Sequence, residues 1–175
     1  MGRTEALTLL AGRYVSLTRA MQAYQAIEDV HVERNREEVF DAAVVVLGEQ
    51  PDRCTVHRST CGRVDDKSPP VRAATTGLVH VLFPRTVQAS DGAAGPWCLS
   101  SEAAEAQLHE SLDQQELDLL AAVIRGGSAA VIVAAIPALV DQVRREMSGG
   151  EPRCEIPGCL LRSRSTDDSS SPTSH

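Results

Sequence analysis

Cys54, His57 and Cys61 stand in the stretch "PDRCTVHRSTCGRVDDKSPP" as a C-x2-H-x3-C arrangement. Thiolate and imidazole are the ligands zinc prefers, and close spacing along the chain lowers the entropic cost of assembling a site. Three ligands leave the tetrahedron open, so Cys98, His80, Cys154 or Cys159 would have to close it, and the spacing forces none of them. Zinc is the cofactor this set would take, and the chain implies no other. A second pair, Cys154-x4-Cys159, lies in a Pro- and Ser-rich segment that a metal would first have to order.

Nucleophilic catalysis needs a Cys or Ser beside a His and an orienting carboxylate. The sequence holds no nucleophile elbow, phosphate-binding loop, dinucleotide fingerprint or H-E-x-x-H helix. "HESLD", residues 109–113, sets a His and an Asp one helical turn apart, a spacing that reads as an exposed helix junction. Glu37-Glu38 and Asp65-Asp66 read as solvated charge. These residues predict a non-enzymatic protein, with a Cys-dependent enzyme as the alternative whose test is a thiol of lowered pKa.

The formal charge is −7, from 17 basic and 24 acidic residues, which argues against a general nucleic-acid binder. The local exception is a weakly basic insert holding Arg53, Arg58, Arg63, Lys67 and Arg72, with almost no aromatic side chain near it to stack a base. Five cysteines, an odd number, follow a start that lacks a secretory apolar region, so a reducing intracellular compartment, cytoplasmic or nuclear, is expected. The longest apolar run, "AAVIVAAIPALV", has about half the roughly 20 residues a membrane-spanning helix requires.

The elements that would position these residues read as mainly helical. In "LTLLAGRYVSLTRAMQAY", Leu7, Leu10, Tyr14, Leu17, Met21 and Tyr24 recur at steps of three and four, the period of a helix with one apolar seam. Leu10, Tyr14, Leu17, Met21 and Tyr24 are the residues expected to meet a partner or a second copy through that seam. A second helix is predicted over 35–48, although Val44-Val45-Val46 equally suits a buried strand. Residues 49–100 read as an irregular insert, with "GLVHVLF" (77–83) as one strand and 54–58 as its nearest partner.

A helix opens after Ser101, and a capping box is read at Ser111 and Gln114. Leu112, Leu117, Leu119, Leu120, Val123 and Ile124 then form a face wide enough for packing on two sides, ended by Gly126. The Ala-rich segment through Pro137 is predicted as a kinked helix, the alternative being a strand divided from a helix at that proline. From 149 onward the composition reads as a disordered tail with two short phosphoacceptor contexts, at Ser165 and Ser171.

The expectation is therefore a single mainly helical domain over residues 1–148, with an irregular or β insert and a disordered tail at 149–175. Its expected role is non-enzymatic protein–protein interaction or regulation through apolar helix faces, with no membrane and no nucleic acid as partner. The alternative is a small zinc-stabilised protein whose insert binds a nucleic acid or protein.

Overall fold

The computed structural model describes residues 4–33, 40–48, 53–59, 74–85, 87–88, 102–147 and 153–162. Among the described residues six strands and five helices follow one another: β1 (Thr4–Tyr14), α1 (Leu17–Glu33), β2 (Phe40–Leu47), β3 (Cys54–Ser59), α2 (Ala74–Leu82), β4 (Val87–Gln88), α3 (Glu102–Ser111), α4 (Gln114–Arg125), β5 (Ala129–Ala135), α5 (Pro137–Glu146) and β6 (Arg153–Arg162). The strands form one sheet in the order β4-β3-β2-β5-β1-β6. All neighbours run antiparallel except the two-residue β4, which lies parallel to β3.

The fold is a mixed α/β sandwich, not a mainly helical one. Strand β5 lies between β1 and β2, and β1 lies between β5 and β6. Hence β1-α1-β2 and β5-α5-β6 are two β-α-β units, each split by a strand of the other, in the ferredoxin-like manner. Helices α1 and α5 cover one face. Their core joins Ala20, Ala23, Tyr24, Ile27, Leu139, Val140 and Val143 to Leu10, Tyr14, Ala42, Val44, Val131 and Val133. The segment between β2 and β5 supplies the other layer, where Leu78, Val79, Phe83, Leu108, Leu117, Leu120 and Ile124 pack on Leu7, Leu9, Val45, Val56, Ile132 and Ile156.

Burial on both faces explains why helical spacing misdescribes three strands. In a strand, residues three apart point to opposite faces. Leu7 therefore enters the α2–α4 core while Leu10 and Tyr14 enter the α1–α5 core, and a step of three looks like a continuous seam. Helix α1 starts only after Ser16, whose Oγ accepts the Arg19 N–H at 3.2 Å as an N-terminal cap. In β2, Ala42 and Val44 face one core and Val45 the other, so its β-branched run belongs to a central strand. Strand β5 is buried at all seven positions. Pro137 does not kink a helix but opens α5 at its first turn, where its missing N–H costs nothing.

Three further expectations need correction. Residues 77–82 belong to helix α2, not to a strand, and β3 pairs with β2 instead. The helix cap is Asp113, whose carboxylate accepts the Glu116 N–H at 2.8 Å while Glu116 reaches back to the Asp113 N–H, one pair away from Ser111 and Gln114. Residues 153–162, read as disordered tail, form the edge strand β6 on β1. Its pairing leaves Pro157 and Gly158 opposite Thr8 alone, and Gly158 takes φ +79°, a bulge conformation that suits glycine. A proline is tolerated there because β6 is at the sheet edge. Among the described residues no helix is long and apolar enough to cross a membrane.

Candidate functional site

Cys54 opens β3 and turns with Val56 into the core under α2, fully buried. Burial pushes its thiol up to about 12, against a partial lowering by the backbone at Thr55. His57 is the extra residue of a bulge in β3, since Val45 and Val44 pair with Val56 and Arg58. It is half-exposed and stands outside the core that holds Cys54. The two nearest members of the predicted zinc set are thus separated by the pleat and the bulge, and Cys61 lies outside the described residues. Among the described residues no group of three His, Cys, Asp or Glu side chains could hold a metal ion, so the zinc-binding expectation finds no assembled site.

The other described cysteines, Cys154 and Cys159, belong to β6. Cys159 is buried and Cys154 partly so, both on the α2–α4 side of the sheet. Burial raises the Cys159 thiol to about 11; the Ser111 hydroxyl hydrogen-bonded to it opposes that shift and the Glu116 charge adds to it. Burial also raises Cys154, with the negative charges of Glu155 and Glu116 adding to the effect. A nucleophile or metal ligand needs the thiolate, and at each of these three cysteines burial, the largest influence, favours the thiol. His109 is exposed on the last turn of α3, and Asp113 is spent on capping α4.

The seam residues divide between core and surface. Leu10, Tyr14 and Tyr24 are buried, and the Tyr14 hydroxyl points to the Met147 carbonyl at 3.4 Å. Leu17 and Met21 are half-exposed along the edge of the same core. A partner approaching this region would meet those two and not the other three.

The α4 helix shows a different surface. Leu117, Leu120, Ala121, Val123 and Ile124 are buried against the sheet. Gln115, Asp118, Leu119, Ala122 and Arg125 are exposed and recur at steps of three and four, one stripe along the opposite side. Leu119 is 53% exposed; with Val15, in the turn between β1 and α1, it makes up the exposed large apolar side chains among the described residues. Arg125 ends the stripe, its guanidinium 5.4 Å from the centre of the Phe83 ring. Near the start, the Asp118 carboxylate accepts a 2.9 Å hydrogen bond from Gln114.

Sequence reasoning found the breadth of this apolar face but not which of its residues would be left outside. It missed the buried Asp41, whose carboxylate accepts both the N–H and the hydroxyl of Thr75, at 2.9 and 2.6 Å. The first signal was Leu119 itself, outside the tighter arc of Leu117, Leu120 and Ile124. No local pattern marks the second pair, 34 residues apart. Compared with known protein families, curated proteins and solved structures, the chain matches none of them.

Proposed function

We propose that this chain is a non-enzymatic interaction or regulatory protein that offers the outer stripe of α4 to another protein chain. The observation that carries the reading is Leu119. The buried side of α4 already accounts for the helix's share of the core, and Leu119 continues the apolar surface past it into solvent beside Ala122. Apolar side chains on one exposed side of a helix are what a partner's groove contacts when it reads a helix face.

The test compares proteins recovered by the full chain with those recovered by Leu119→Glu. The expected result is loss of a specific partner at an unchanged melting temperature. A partner retained equally by both proteins would sink this assignment of the contact surface.

A further inference from the structure

We propose that the partner of α4 is α4 of a second copy of this chain, laid antiparallel across it. The inference rests on the preceding reading of the stripe and adds the identity of the occupant, which charge order argues. Asp118 and Arg125 lie seven residues, two turns, apart on the exposed stripe, with Leu119 and Ala122 between them. Seven residues of helix rise about 10.5 Å. Turning a second α4 end for end places its Arg125 opposite Asp118 and its Asp118 opposite Arg125. Both ends of the contact are matched by the same rotation, which is the requirement of a two-fold, self-complementary interface.

The residues between the charged ends fit the same arrangement. Ala122 adds little bulk near the crossing point, so the helices can approach closely, and the leucine of each copy covers its partner's alanine-bearing turn. A parallel arrangement would set Asp118 on Asp118 and Arg125 on Arg125, like charges at both ends, and the stripe selects against it. The Arg125 guanidinium carbon lies 5.4 Å from the Phe83 ring centre, a cation–π contact and not a hydrogen bond, while Asp118 keeps acceptor capacity beyond its bond from Gln114.

Sedimentation velocity of the full chain over a concentration series tests the proposal with Asp118→Arg, Arg125→Asp, and the two combined. The wild type should form a concentration-dependent dimer. Each single reversal should weaken it by about tenfold or more, because it sets like charges together at both ends of the contact. The combined variant, which exchanges the two charges, should dimerise as the wild type does, and a mixture of the two single variants should associate more tightly than either does alone. Asp118 is exposed in mid-helix, so Asp118→Arg decides the matter even if Arg125→Asp, at the helix end, fails to fold. A wild type that stays monomeric at every concentration, a dimer indifferent to Asp118→Arg, or a folded combined variant that stays monomeric would each overturn the proposal. In the first case the Leu119→Glu comparison still judges separately whether α4 is a contact surface for a different protein.

Discussion

The guanidinium of Arg13 occupies the space that a side chain on Gly126 would need: a Cβ built at Gly126 falls 1.7 Å from Arg13 Cζ. From there Arg13 donates to the Val123 carbonyl through Nε and to the Ala122 carbonyl through Nη2, both at 2.9 Å. Those carbonyls belong to the last turn of α4, which has no further helix to bond them. A cation at this end also suits the helix dipole. The glycine leaves room for this guanidinium, which a side chain would displace, and its φ of −80° makes no demand of its own for glycine.

Gly126→Ala should therefore destabilise the protein by about 1–2 kcal/mol, the loss of the displaced Arg13 hydrogen bonds outweighing the helix preference of alanine. Thermal melts of Gly126→Ala, Arg13→Ala and the double variant should show coupling: with Arg13 already removed, the alanine should cost little. Equal costs in both backgrounds would show that Arg13 is not what the glycine makes room for.

Asp41 and Thr75 join the central strand β2 to the start of α2, and both are 0% exposed. Thr75→Val should cost about 1.5–3 kcal/mol, because it removes a hydrogen bond to a buried carboxylate. Asp41→Ala should cost at least as much, since it leaves both Thr75 donors without this acceptor. Denaturant unfolding measures both, and a change under about 0.5 kcal/mol, the range of ordinary surface substitutions, would count against the pair.

The Cys54 thiol, raised from 9.0 to about 12 by burial, gives the folded state a defined alkaline limit. The unfolded chain ionises this thiol first, so its contribution is fully present below pH 9 and is lost as pH rises from 9 towards 12. Cys54→Val should flatten the fall in melting temperature across that window relative to the wild type. Parallel curves for the two proteins would remove Cys54 from the account.

Arg144 on α5 holds Glu155 on β6 through two bonds, Nε to Oε1 at 2.6 Å and Nη2 to Oε2 at 2.8 Å, and reaches Asp141 with Nη1 at 2.8 Å. These partners raise the guanidinium pKa above its ordinary range, so on the arginine side the latch holds at every pH below that range. Glu155→Gln should speed amide exchange in β6 while leaving β5 protected, and added salt should have a similar, weaker effect on the wild type. Uniform exchange changes across the sheet would show that the pair is not a local latch for β6.

Several local features were legible without the fold. The helices over 102–111 and 114–125 follow from their apolar period, and Gly126 marks the end of the second. The strand character of 54–58 was visible, as was the alternative strand reading of Val44-Val45-Val46. Cap identity was off by one pair because Ser111-Gln114 and Asp113-Glu116 both fit the capping box, and only the position of the chain turn chooses between them. The candidate surface was half legible: the width of the α4 face is a property of spacing, while the exposure of Leu119 depends on where the sheet lies.

The sequence by itself determined an aliphatic core, with aromatics at 3%, and the helices whose apolar residues lie on one side. Only the tertiary structure decided that residues 4–14, 40–47 and 129–135 are strands, that 74–82 is a helix, and that 153–162 closes the sheet. A strand covered on one face announces itself by alternation, but the central strands here are covered on both, so the signal vanishes and spacings of three and four arise from two unrelated cores. For β6 the cause is opposite: few local preferences favour a strand in "RCEIPGCLLR", and it forms because β1 offers a paired edge, the two cysteines and Ile156 find a core, and Arg144 finds Glu155.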